Sequence, residues 1–363
     1  MLFSAFRQST YEPLSTYPGQ QQQKRWSTRS KLALGFAVAS TVLLGFWFGK
    51  AALFRRAYNP LDDYRNINQL PVTVADSLPK TSPSNRRAVV SSLYSDDFAI
   101  ATAVVGYSTQ AANVSARLLL PYLSDRVSSK ALCIAQATGW EPYPVPLIPP
   151  PHDGRGIYAR FMDQYTKLNI WKLDSRGIDS AVYLDADTLV RRNFDELFDS
   201  PFNFAAVPDV YGAGDPRGFS LTFNAGVLAF RPSSAVFDDM REKMETAEFP
   251  LKQAEQAFLN LYFGGTAMRL PYVYNANLAI KVRSPVLWRR LVDEMRVVHY
   301  TTVKPFIIDS KSSSTILDEK EIRVAMEQAA KRESGLFREE VGWWREAYDR
   351  MMLDRGHEIR KCY

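Results

Sequence analysis

Two carboxylates one residue apart, Asp185 and Asp187, stand at the end of the apolar run Ala181-Val182-Tyr183-Leu184. A run rich in β-forming residues that ends in charge reads as a buried strand delivering carboxylates to its exposed C-terminal end. In open α/β sheets that end is where ligands bind. Side chains at i and i+2 of an extended segment point the same way, so the pair can share one hard divalent cation and, through it, a diphosphate. The alternative is a strand followed by an Asp-capped turn, and Asp-x-Asp alone does not decide between the two.

The elements that must position the pair follow from the apolar pattern. Residues 98–105 (FAIATAVV) read as a buried strand, residues 111–119 carry apolar positions at helical spacing, and residues 130–135 (KALCIA) read as the next strand. A Pro-rich loop over 142–151 ends in the flexible His152-Asp153-Gly154-Arg155-Gly156, and a helix over 160–171 leads into the carboxylate strand. Beyond it, Asn193-Phe194-Asp195-Glu196-Leu197-Phe198 caps and starts a short helix. A strand over 202–207, a Gly- and Asp-rich loop from Asp209, and the apolar segment 223–230 (FNAGVLAF) follow. The pattern then predicts helices over 233–246 and 253–263, a strand over 297–300, and an amphipathic, charge-rich helical tail from Leu317. Strands alternating with helices argue an α/β fold with a mainly parallel sheet covered on both faces. No internal repeat is visible.

The chain has 363 residues, 46% hydrophobic and 23% charged, which is ordinary globular composition. Its formal net charge of +6 is spread along the chain and forms no basic stripe of the kind nucleic acid requires. Two cysteines, Cys133 and Cys362, match no metal spacing or disulfide framework and suit either redox compartment. Residues 32–49 (LALGFAVASTVLLGFWFG) carry no charge and, at 1.5 Å per residue, span roughly 27 Å, enough to cross a bilayer core. The long preceding segment and the lack of a small-x-small cleavage site before Lys50, Arg55 and Arg56 favour an uncleaved signal anchor over a signal peptide. Lys24, Arg25, Arg29 and Lys31, almost unopposed by acids, favour a cytoplasmic N-terminus. The resulting layout is a disordered cytoplasmic tail (1–31), a transmembrane anchor (32–49), a Pro-rich stem (50–96), a folded α/β domain (97–310) and a helical extension (311–363). The last two would be lumenal, in the Golgi or ER.

Several local patterns also stand in one order. Arg160 and Tyr165-Thr166-Lys167-Leu168 precede Tyr183-Leu184-Asp185-Ala186-Asp187-Thr188-Leu189 and Asn193-Phe194-Asp195-Glu196-Leu197-Phe198. Phe223-Asn224-Ala225-Gly226-Val227, Glu255-Gln256-Ala257-Phe258-Leu259-Asn260 and Val298-His299-Tyr300-Thr301-Thr302-Val303-Lys304-Pro305-Phe306 follow. Over roughly 97–306 this set resembles the glycogenin-like retaining glycosyltransferases of family 8, whose catalytic domain is the A-type nucleotide-sugar-binding fold. The resemblance implies a UDP-sugar donor, a glycan, glycoprotein or glycolipid acceptor, and Mn²⁺ or Mg²⁺ held by Asp185, Asp187 and His299. Mn²⁺ suits an imidazole ligand better. Lys304 would meet the leaving phosphate, where charge develops. Arg160 and Lys167 would contact the diphosphate or donor sugar, and Tyr107 would stack on uracil. Asn224, Ala225 and Gln256 would surround the donor sugar, where amides both give and accept hydrogen bonds. Ala186 and Thr302 fall inside the matched donor-site motifs. Gln256 would stand where a nucleophile is needed but is a poor one. The implied reaction is therefore a front-face substitution through an oxocarbenium-like state, with the leaving phosphate helping to deprotonate the acceptor.

Each piece has a plainer explanation. His299 alone would be a hydrogen-bonded structural histidine, Asn224 a turn cap, Lys167 a solvated helix face and Tyr107 packing at the core edge. Asn113-Val114-Ser115 is an N-glycosylation sequon, but it falls in an expected helix beside the nucleotide site and is expected to stay unmodified. There are departures from the family pattern. Glu255-Gln256 replaces Asp-Gln, Lys252 stands where an acid is often found, Thr302 replaces glycine and Ala103-Val104 replaces a polar pair. They bear on the donor sugar and acceptor, and argue against glycogenin proper. Two rival readings are a haloacid-dehalogenase-type phosphatase, which has Thr or Val where Leu189 stands and opens its domain with the motif, and a membrane-tethered glycan-binding scaffold without turnover.

Overall fold

The computed structural model describes residues 27–53, 82–210, 222–312 and 314–363. The chain divides into two units, 1–58 and 59–363. The first is described only through one helix, α1 (Thr28–Leu53). Every side chain of α1 that is described is exposed, including Leu32, Phe36, Val42 and Leu43. Among the described residues no helix is long and apolar enough to cross a membrane; several side chains of α1 lie outside the described set. The expected disordered tail lies almost wholly outside the described residues, as do residues 54–81 of the expected stem.

The second unit is built on a seven-stranded mixed sheet. Its strands are β1 (Arg87–Val90), β2 (Arg117–Tyr122), β3 (Glu141–Pro144), β4 (Ser180–Leu184), β6 (Phe204–Pro208), β7 (Phe223–Phe230) and β8 (Met268–Arg269). They lie in the order β3-β2-β1-β4-β7-β6-β8. The pairs β1 with β2, β1 with β4, β2 with β3 and β6 with β8 are parallel, and β7 runs antiparallel to both neighbours. A second sheet orders β5 (Thr188–Val190), β10 (Val297–His299) and β9 (Ala276–Asn277). The α/β fold with a mainly parallel mixed sheet is as expected.

The early elements differ from expectation. Residues 98–105 are not a strand: Phe98 ends a 3-10 turn and 99–105 open α2 (Ala99–Ala111), while residues 130–135 lie within α3 (Ser129–Ala137). A continuous apolar run does not by itself separate a buried strand from a helix buried all round. Ala99, Ala101 and Ala103 favour the helix, and Ser128 caps α3 by accepting a hydrogen bond from the Ala131 N–H at 3.2 Å. The first strand is β1, inside the stretch read as stem. All four of its residues are buried, which marks a central strand, and so the folded unit begins before residue 97.

One face of the sheet packs on α2 and α3, and the core there continues into the C-terminal helices. The other face packs on a run of 3-10 turns (Gln164–Arg176), α5 (Ser234–Met244) and α6 (Ala254–Phe263). Trp171 stacks on Phe263 at 5.6 Å in that layer. Short helices α4 (Glu196–Asp199), α7 (Leu278–Arg283) and α8 (Pro285–Leu291) complete the domain.

Residues 311–363 hold α9 (Glu319–Lys331) and α10 (Arg338–Arg360). A capping box starts α9, with Asp318 accepting from the Glu321 N–H and Glu321 from the Asp318 N–H. The side chains of Val341, Trp344, Tyr348 and Met351 in α10 are buried. At about 1.5–3 kcal/mol for each large apolar side chain, that burial holds the tail on the domain. Tyr300 donates to the Glu340 carbonyl at 2.6 Å, and a Cys133–Cys362 disulfide ties α3 to the end of the chain.

Candidate active site

The carboxylate pair is placed by three neighbouring strands. β4 delivers Asp185, whose N–H donates to the Gly226 carbonyl of β7 at 2.8 Å. This brings Asn224, Ala225 and Gly226 alongside the two aspartates. The chain then turns into β5, which pairs antiparallel with β10 so that His299 lies opposite Thr188. His299 Nε2 lies 3.1 Å from Asp187 Oδ1 and 3.9 Å from Asp185 Oδ2. Gly226 permits this approach, since a Cβ there would lie 2.2 Å from His299 Cε1.

Asp185, Asp187 and His299 each offer one ligand atom, and these atoms lie within 4.8 Å of one another. Two carboxylate oxygens and one imidazole nitrogen fit a divalent cation. The tautomer fits too. Asn275 gives its amide N–H to Asn224 Oδ1 at 2.9 Å, so its own oxygen faces His299 Nδ1 at 3.0 Å. Nδ1 is therefore the donor, and Nε2 is left facing the carboxylates.

Lys304 pairs with Asp187 on the side away from the histidine. Burial works to raise the Asp187 carboxyl, but the Lys304 ammonium beside it wins and the group lies far below the usual carboxylate range. Asp185 is held differently. Tyr183 donates to it at 2.9 Å, and Lys167 lies 3.1 Å away while also pairing with Glu255 at 2.8 Å. Burial disfavours the charged lysine, yet Asp185 and Glu255 keep its pKa well above normal.

These groups line a cleft of ≈ 780 Å³. Arg160, Lys167, Asp185, Ala186, Asp187, Asn224, Ala225, Gln256, His299 and Lys304 all face it. Two expected residues do not. Tyr107 lies within α2, and its hydroxyl donates to Asp354 of α10 at 2.5 Å. The strand expected before it is a helix, which carries Tyr107 away from the cleft toward α10. Thr302 is exposed, and Thr301 takes the place on the lining.

Other residues were missed. Tyr94 lies four residues after β1 and lines the cleft; the Pro-rich residues before β1 mask both in the sequence. Glu255, which stands in the matched motif as a departure from Asp-Gln, is the partner of Lys167. Asp209, at the end of β6, accepts from Gln256 at 3.0 Å, and burial raises its carboxyl above the ordinary value. An acid at the end of an apolar strand was a readable signal for it. Asn275 had none, because its role comes from packing alone.

A family model described as Glycosyl transferase family 8 matches residues 89–306. The chain is 28% identical over 242 residues to inositol phosphorylceramide glucuronosyltransferase 1 of Arabidopsis thaliana, covering 61% of this chain and 42% of that protein. It is 28% identical over 241 residues to galactinol synthase 2 of Solanum lycopersicum, covering 58% and 64%. The chain thus spans less than two thirds of the length of these relatives. Among solved structures, that of the galactosyltransferase LgtC with donor and acceptor sugar analogs aligns over 67% of this chain and 96% of that one, with 19% identity and a TM-score of 0.41. The phosphatase alternative does not fit, because three parallel strands precede the Asp-x-Asp. With the family pattern running from β1 through His299 to Phe306, the chain belongs to glycosyl transferase family 8.

Proposed function

We propose that this protein is a retaining, metal-dependent glycosyltransferase that moves a hexosyl group from a UDP-sugar to a hydroxyl of a glycan, glycoprotein or glycolipid. The observation that carries this is the convergence of Asp185, Asp187 and His299 on one point beside Lys304. A divalent cation bound there supplies positive charge to the diphosphate. The chain's own residues do the rest. Lys304 exchanges its contact with Asp187 for the departing phosphate. Gln256 accepts from the Ala225 N–H at 3.0 Å and donates to Asp209, so its amide is held in place with one N–H left for the donor sugar. It orients the sugar rather than attacking it. The acceptor hydroxyl then enters on the leaving-group side and gives its proton to the phosphate oxygen.

We further read α1 as a membrane anchor and the catalytic domain as lumenal, in the Golgi or ER. Three features support that reading: the uncharged run 32–49, the exposure of Leu32, Phe36 and Leu43, and a disulfide of the kind that persists in oxidising compartments.

The test is hydrolysis and transfer with a panel of UDP-sugars. Turnover with Mn²⁺ that disappears with EDTA is expected. Binding without turnover would point to a glycan-binding scaffold instead. A C-terminal tag digested in intact vesicles without detergent would overturn the lumenal placement.

A further inference from the structure

The sequence contains one Asn-x-Ser/Thr order with x other than proline, Asn113-Val114-Ser115. Expected in a helix beside the nucleotide site, it lies elsewhere. α2 ends at Ala111, and Asn113 is exposed in the turn that leads to β2, with φ 54°. Phe98, just before α2, faces the cleft. The 13 residues of α2 rise about 1.5 Å each, so the sequon stands on the order of 20 Å away, at the other end of the helix.

The backbone of this turn is pinned. The Asn113 N–H donates to the Gln110 carbonyl at 2.9 Å, and the Asn113 carbonyl accepts from Asn193 Nδ2 at 2.6 Å. The Ser115 N–H donates to Asp195 at 2.9 Å. The side chains are free: neither the Asn113 amide nor the Ser115 hydroxyl makes a hydrogen bond among the described residues. Asparagine tolerates the left-handed conformation well, which would explain Asn113 alone. It does not call for an exposed hydroxyl two residues on.

We infer that Asn113 is an N-glycosylation site, an inference that rests on the lumenal placement proposed above. In the transfer, the Asn113 amide nitrogen bonds to the anomeric carbon of a lipid-linked diphosphate oligosaccharide. The bond from that carbon to the diphosphate oxygen breaks, the amide loses one proton, and the lipid diphosphate leaves with the electron pair. The glycan stands on a surface turn, displaces no buried contact and leaves the cleft open.

The full chain expressed in eukaryotic secretory cells tests this. Expected is a gain in mass that peptide-N-glycosidase removes, leaving aspartate at 113. Asn113→Gln and Ser115→Ala lose that mass, Ser115→Thr keeps it, and turnover of all three is unchanged. Ser312→Asn creates a control sequon, Asn-Ser-Ser, at an exposed position. A glycan on that control with none at Asn113 overturns the inference and leaves the lumenal placement standing. No glycan at either site overturns both.

Discussion

Asp185 and Asp187 leave one strand end with a single residue between them, yet they enter different electrostatic surroundings. Asp185 joins a cluster built around Lys167, whose side chain is 1% exposed and sits among Asp185, Glu255 and the Ala225 carbonyl. That lysine is fully committed, and its charge is balanced when the chain folds. Asp187 joins a cluster whose lysine, Lys304, follows β10 and is 28% exposed. Lys304 is free to leave for another anion, provided that another cation takes its place at Asp187, whose side chain is only 11% exposed. One cluster therefore serves as scaffold for the cleft, and the other holds a carboxylate that is ready to exchange its partner.

Four substitutions separate the two clusters. Asp187→Ala removes the exchangeable carboxylate and should lower turnover by on the order of 10³-fold, as for loss of a group that stabilises developing charge. Its thermal unfolding should stay near that of the native chain, because Lys304 is left partly in water. Near-native turnover that is the same with Mn²⁺ and with EDTA would sink the metal-dependent mechanism. Lys167→Met should act in the opposite way, on the fold. It leaves Glu255 buried without its partner and should cost about 3 kcal/mol in urea unfolding, the low end for a broken buried pair because Asp185 reaches solvent. Adding Glu255→Gln should recover part of that loss, and no recovery would mean that the two residues are not coupled.

Lys304→Ala should slow turnover by on the order of 10²-fold while Mn²⁺ affinity stays level or rises, since a competitor for Asp187 is gone. Weaker Mn²⁺ binding would place Lys304 with the scaffold instead. The smallest effect is expected at Asn275→Ala. Losing the oxygen that orients His299 should weaken Mn²⁺ binding by about 10-fold, the low end for outer-shell partners. Calorimetric titration with the metal reads it directly.

Residues near the site were legible where local pattern and function coincide. An apolar run ending in charge, an amide beside two small residues, and a histidine closing a short strand each reads from a few neighbouring positions. Misreadings clustered in residues 87–135, where helix and strand were exchanged. A helix buried against both the sheet and α10 shows no polar face, so its amphipathic signature is absent. That one exchange displaced the first strand, hid Tyr94, put Tyr107 in the wrong place and moved the sequon.

That Asp185 and Asp187 end a buried strand, that the sheet is mainly parallel, and that an ordered motif set runs from Arg160 to Phe306 can all be read from residue order. These depend on side-chain period and spacing, which are local properties of the chain. Only the tertiary structure decided which cation each carboxylate meets, which nitrogen of His299 faces them, and that Glu255 answers Lys167 across 88 residues. It also decided that Cys133 and Cys362 meet, 229 residues apart. Such pairings depend on strand order and on how the C-terminal helices dock. No window of neighbouring residues encodes them, because their energy exists only once distant surfaces are buried together.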